Sequence, residues 1–307
     1  MTRADRRPTP GVVAVLALLL ALVCAGLTGC SDAAPAQPAA GQPAAGHAHR
    51  EQSIRTYVAL GDSYTAGPLV PVTDVAKGCF RSDSNYPALV AARLQAHLTD
   101  VSCSGADTGD VTGRQEMDYG GQRTSVPPQI RAVRPGTDLV TVGIGGNDES
   151  LFKTLLETCA VAGGASCADG VRQALGDPAQ VFSRIGADVT HVLELVHHRA
   201  PDAEVLLVGY PRLVEEDRSC AAMPTPAEDR PVLASLEKEL ATTLARAAHR
   251  ARAGFVDMYA VSKGHEICSR DPWVNGKTMD QQRAAAFHPF AAGEEAIADQ
   301  VLKTLPR

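Results

Sequence analysis

The chain has 307 residues, 45% of them apolar and 21% charged, enough for one large domain or two small ones around a sizeable core. A net charge of −6 argues against a nucleic-acid binder, which would need a basic surface.

The first thirty residues differ from the rest. Arg3, Arg6 and Arg7 form a positive head, Val12 to Val23 is an unbroken apolar run, and Leu27-Thr28-Gly29-Cys30 follows. That order describes a secretory signal over residues 1–29. Its end resembles a bacterial lipoprotein lipobox, which implies cleavage after Gly29 and a diacylglyceryl group on Cys30. A plain membrane anchor is the alternative, since Val12–Gly29 is just long enough to span. Arg6-Arg7 lacks the apolar pattern that a twin-arginine signal would place right after the pair. Loss of residues 1–29 removes three Arg and one Asp and leaves a charge of −8. Two acyl chains, rather than charge, would then hold the chain at the outer face of the cell membrane; otherwise it is secreted. Residues 30–52 are rich in Ala, Pro, Gly, Gln and His, which predicts a flexible tether ahead of one domain over 53–307.

From residue 54 short apolar runs alternate with longer helical patterns. Strands are predicted at Ile54–Leu60, Asp138–Ile144, Ala203–Val208 and Gly254–Val256, with a short candidate at Val101–Ser102. Helices are predicted at Tyr86–Leu98, capped by Asn85, and at Val181–His198, Pro231–Arg252 and Pro289–Leu305. This alternation predicts an α/β fold with a mostly parallel sheet covered on both faces.

Sites in such sheets form beyond the carboxyl ends of the strands. Gly61-Asp62-Ser63 follows the first strand, Cys103-Ser104-Gly105-Ala106 the short candidate, and Gly145-Gly146-Asn147-Asp148 the strand ending at Ile144. His288-Pro289-Phe290 opens the last helix. Each piece alone is ordinary turn or cap chemistry. Together they supply a nucleophile, oxyanion donors and a general base, the parts that acyl transfer needs.

This constellation resembles the SGNH (GDSL-type) hydrolase family from Tyr57 to Gln300. The resemblance implies a three-layer α/β/α, flavodoxin-like fold. It implies Ser63 as nucleophile and His288 as base, with oxyanion donors from the Ser63 and Gly105 N–H groups and the Asn147 amide. No metal or cofactor is needed. The Gly-x-Ser-x-Gly elbow of α/β-hydrolases is absent around Ser63. Many members carry an Asp three residues before the histidine, where this chain has Ala285. A backbone carbonyl, most simply that of Ala285, would then accept the His288 Nδ1–H; a distant acid, Asp280 or Asp271, is the alternative. Asp62 and Asp148 are expected to brace their loops by accepting backbone N–H groups. Trp273 either walls the acyl pocket or packs under its loop, and Tyr64 faces either the site or the core.

Eight cysteines include Cys24 in the signal and Cys30; the remaining six, an even number in an exported chain, imply disulfides. None has the CxxC spacing of a structural zinc site. The resemblance extends to a secreted actinobacterial lipase/esterase-like subgroup with three disulfides, and implies the pairs Cys79–Cys103, Cys159–Cys167 and Cys220–Cys268. A monomeric serine esterase or lipase acting on acyl esters is therefore expected. The alternatives are a carbohydrate O-acyl esterase or acyltransferase of the cell envelope, and a non-catalytic surface-binding lipoprotein.

Overall fold

A computed structural model describes residues 53–75, 78–160 and 166–306. The signal, Cys30 and the tether expected over residues 1–52 lie outside the described residues. In chain order the elements are β1 (Thr56–Gly61), α1 (Ser63–Ala66), the short ladder β2 (Thr73–Asp74) and β3 (Arg81–Ser82), α2 (Tyr86–Leu94) and β4 (His97–Asp100). Next come α3 (Thr108–Thr112), the hairpin β5 (Gln115–Tyr119) and β6 (Gln122–Val126), β7 (Leu139–Gly143), α4 (Leu151–Leu155) and α5 (Cys167–Leu175). The last third holds α6 (Pro178–Arg199), β8 (Glu204–Val208), α7 (Arg230–Ala251), β9 (Gly254–Val256), α8 (Met258–Val261) and α9 (Ala291–Thr304).

Five strands pair in the order β4-β1-β7-β8-β9, all parallel. Counted along the chain this is 2-1-3-4-5, the flavodoxin-like winding, whose topological switch point falls between β1 and β7. Alternate residues along each strand feed two separate cores, as the period of two requires. Tyr57, Ala59, Leu139, Leu206 and Val208 pack with Tyr86 and Val90 of α2 and Ile297 and Val301 of α9. Val58, Leu60, Val140, Val142 and Leu207 pack on the other face with Ile185, Val189 and Leu193 of α6 and Leu240 and Leu244 of α7.

The first predicted helix is shorter than expected. It stops at Leu94, where Gln95 takes a left-handed cap (φ 53°), and the chain then extends as β4. Leu98 kept the helical spacing of Val90 and Leu94, but its backbone pairs beside Tyr57 of β1 instead. The Val101–Ser102 candidate therefore lies just past the real strand. Pro289 also stands outside the last helix, which begins at Ala291 with Phe290 as its cap. The hairpin was missed, although Gly120-Gly121 between alternating segments is a two-residue hairpin signal. Both glycines adopt positive φ, 60° and 75°.

Candidate active site

The turn after β1 is built around Gly61. A Cβ there would stand 2.1 Å from the Thr65 hydroxyl and 2.7 Å from the Gly143 carbonyl, so only glycine fits. The Gln129 amide holds the same residue from the side, accepting from its N–H at 2.7 Å and donating to its carbonyl at 2.9 Å. Asp62 caps α1: its Oδ1 accepts the Tyr64 N–H at 2.8 Å. Its Oδ2 accepts the Tyr210 hydroxyl at 2.6 Å. Burial pushes the Asp62 carboxyl up to about 7 against these two bonds. Ser63 is thereby fixed as the first residue of a short helix at the switch point.

Gly105 lies in the loop after β4, exposed and at φ 78°, a conformation that favours glycine. The Cys79–Cys103 disulfide ties this loop to the segment before β3. Ser104 adds two bonds, from its N–H (3.1 Å) and its hydroxyl (2.9 Å), to the Cys79 carbonyl. Asn147 follows β7 and donates from its side-chain amide to the Ala106 carbonyl at 2.9 Å, which joins the second loop to the third. Asp148 next to it accepts the Thr108 hydroxyl, and the Thr108 N–H at 3.2 Å; burial raises its carboxyl to about 6. Asp62 and Asp148 thus brace their loops as expected.

His288 corrects one expectation. Its Nδ1 meets the carbonyl of Ala286 at 2.7 Å, not that of Ala285. The Ala285 carbonyl is already occupied by the His288 N–H (3.2 Å) and the Asn275 amide (3.1 Å). The distant acids do not reach the imidazole either. Asp280 Oδ1 accepts the Gln282 N–H at 3.0 Å, and Asp271 lies 3.4 Å from His265. With Nδ1–H donating to a carbonyl, Nε2 carries the lone pair. Nε2 is buried and has no protein partner among the described residues. Burial lowers the His288 pKa and the Ala286 carbonyl partly offsets that, so the balance favours the neutral ring.

Ser63, Gly105 and His288 line one cleft of about 560 Å³, whose other walls include Pro68, Leu69, Phe80, Met279 and Ala285. Asn147 is attached to that wall through Ala106 rather than lining it. No hydrogen bond joins Ser63 to Nε2, a looseness common before substrate binds. Tyr64 faces both ways: its ring lies 5.1 Å from that of His288, and edge-on to Tyr210 at the same distance. Trp273 packs under its loop, stacked on His265 at 3.9 Å, and does not line the cleft. Three supporting residues escaped the sequence reading: Gln129, Tyr210 and Asn275. Tyr210 had a signal, since Gly209-Tyr210 follows β8 at the same end of the sheet. The remaining disulfides are Cys159–Cys167 and Cys220–Cys268, so all three pairs match those implied by the resemblance.

Residues 59–296 match the GDSL-like Lipase/Acylhydrolase family. Lipase 2 of Streptomyces coelicolor is 36% identical over 280 residues, covering 85% of this chain and 90% of that protein. The crystal structure of phospholipase A1 from Streptomyces albidoflavus superposes with a TM-score of 0.70 at 30% identity, over 82% of this chain and 100% of that one. The extracellular lipase of Streptomyces rimosus gives 0.68 at 30% identity, with the same coverage of both chains. The chain belongs to the GDSL-like lipase/acylhydrolase family and is a serine ester hydrolase with the three-layer SGNH fold.

Proposed function

We propose that Ser63 is the nucleophile and His288 its general base, acting on carboxylic esters with an apolar acyl chain. The observation that carries this is the His288–Ala286 hydrogen bond, which fixes the tautomer that leaves Nε2 free, on a ring that lines the same cleft as Ser63. Nε2 takes the hydroxyl proton as Oγ attacks the ester carbonyl. The oxyanion is met by the backbone N–H groups of Ser63 and Gly105 and by the Asn147 amide. Asn147 gives one N–H to Ala106 and keeps the other for the oxyanion. Protonated His288 returns its proton to the leaving alcohol. Nε2 then deprotonates a water that attacks the acyl-enzyme ester, and returns that proton to the departing Ser63 Oγ, releasing the acid and restoring the Ser63 hydroxyl.

The acyl chain lies along Pro68, Leu69, Phe80 and Met279. The phospholipase A1 among the similar structures supports a lipid ester as the natural substrate class. Three disulfides belong to an oxidising compartment. We further read residues 1–29 as the export signal and Cys30 as the lipidated residue, giving a membrane-tethered enzyme. The test is hydrolysis of p-nitrophenyl esters from acetate to palmitate by the disulfide-intact protein and by Ser63→Ala. Rates that grow from acetate to medium or long chains and vanish in the mutant support the reading. A sharp preference for acetate would point to a carbohydrate O-acetyl esterase, and activity surviving in Ser63→Ala would exclude Ser63. Palmitate labelling lost in Cys30→Ala tests the anchor.

A further inference from the structure

Among the described residues, Tyr210 is the one side chain that hydrogen-bonds to both the Ser63 turn and the Asn147 loop. It is 7% exposed and sits just beyond β8, between the loops that follow β1 and β7. Its hydroxyl oxygen accepts the Gly146 N–H at 2.9 Å and donates its proton to Asp62 Oδ2 at 2.6 Å. Asp62, fully buried, is the cap of the helix that starts at Ser63; Gly146 is the residue before Asn147. The ring is held on two sides, edge-on to Tyr64 at 5.1 Å and to Phe152 at 4.7 Å. Phe152 in turn closes over Gly146, where a Cβ would come within 2.3 Å of the ring.

We propose that Tyr210 is a positioning residue: its hydroxyl sets the distance between Ser63 and the Asn147 amide, and so places one oxyanion donor. The proposal rests on the reading of Asn147 as such a donor. The loop carrying Asn147 has glycine at both preceding positions, Gly145 at φ 116°, and so has little stiffness of its own. Its other side-chain ties lead away from the serine: Asn147 to Ala106 in the Gly105 loop, Asp148 to Thr108 of α3, and Glu149 to Arg184 of α6. Beyond the backbone bond from the Asp62 N–H to the Gly143 carbonyl (3.0 Å), the Tyr210 hydroxyl supplies the side-chain link, through a 2.6 Å bond to Asp62 that strengthens as the carboxyl ionises. An oxyanion donor acts on the charge that develops in the transition state, so displacing it lowers kcat and leaves KM in place.

The experiment is a double-mutant cycle of Tyr210→Phe and Asn147→Ala on a short p-nitrophenyl ester, with active sites counted by an organophosphonate. Phenylalanine keeps both ring contacts and removes both hydrogen bonds. Tyr210→Phe alone is expected to lower kcat ~10- to 100-fold with KM within about twofold. In the Asn147→Ala background the same change is expected to cost less than about twofold, because the donor it places is gone. An equal loss in both backgrounds, or full activity of Tyr210→Phe, overturns the proposal while leaving Asn147 as a donor. Full activity of Asn147→Ala alone overturns the donor reading and this proposal with it. Should Tyr210→Phe not fold, Asp62→Asn in both backgrounds is decided by the same criterion. It keeps the cap oxygen and replaces the oxygen that accepts the Tyr210 hydroxyl with an amide nitrogen.

Discussion

The Nδ1 of His288 lies 2.7 Å from the carbonyl of Ala286, two residues earlier in the same loop. A carbonyl orients the ring as a carboxylate would, without placing an anion beside it. Nothing then raises the imidazole pKa strongly, and burial lowers it below the ordinary 6.5. The neutral ring is the active form in the proposed mechanism. The acid limb of kcat/KM is therefore expected to have its midpoint below 6.5, with a plateau through neutral pH. A pH–rate profile on a short ester checks this; a midpoint above 7 would mean that an anion faces the ring.

Asn275 is the post behind that loop. Its amide donates to the carbonyls of Thr278 (2.9 Å), Ala284 (3.0 Å) and Ala285 (3.1 Å), and its backbone N–H donates to the His288 carbonyl at 2.9 Å. Asn275→Ala strands these acceptors and should cost ~1–3 kcal/mol. Asn275→Asp should be worse above pH 5, because a carboxylate would face the same carbonyls with no proton to give. Urea unfolding of the two variants, alongside their kcat, measures the order.

Stability should decline as pH rises. Burial lifts Asp148 to about 6, Asp62 to about 7 and Glu237 to about 8. Each carboxyl holds its proton more tightly in the folded chain than in the unfolded one. What the three contribute is complete below about pH 4 and is lost as pH climbs through 6 to 8. Glu237 accepts the Leu213 N–H at 3.3 Å through Oε2, while its Oε1 has no hydrogen-bond partner among the described residues. Glu237→Gln should flatten the upper part of the decline and raise Tm at pH 9. Thermal melts of both proteins from pH 5 to 9 decide it.

The Cys79–Cys103 disulfide joins the loop carrying Gly105 to the segment that supplies Phe80 to the cleft. Replacing both cysteines by serine should cost ~2–5 kcal/mol in urea unfolding. Turnover should fall further than the folded fraction does, because the Gly105 loop, with its proposed oxyanion donor, and a wall of the cleft are released together. Equal falls would show that the bridge serves stability alone.

The order of segments along the chain determined the fold class and the candidate parts, while the flavodoxin-like winding was implied by the family resemblance. Apolar runs of strand length set between helical periods required a parallel sheet buried on both faces, and the polar residues after each strand had to gather at one edge. Ser63, Gly105 and Asn147 could be proposed together for that reason, and His288 from its place before the last helix, because turn glycines, strand ends and helix starts are local features. The tertiary structure decided what depends on contact between distant segments. Leu98 fitted a helix by spacing, but the ladder to β1 claimed its backbone. The carbonyl facing His288 is that of Ala286, because Asn275 occupies the Ala285 oxygen and Phe287 turns the chain at φ 60°. Tyr64 holds that turn by donating its hydroxyl to the Phe287 carbonyl at 2.6 Å. Tyr210 acquires its place only where three loops meet. Periodicity and turn chemistry act over a few residues and are written in the sequence, whereas a hydrogen bond across 148 or 223 residues exists only once the sheet has brought its ends together.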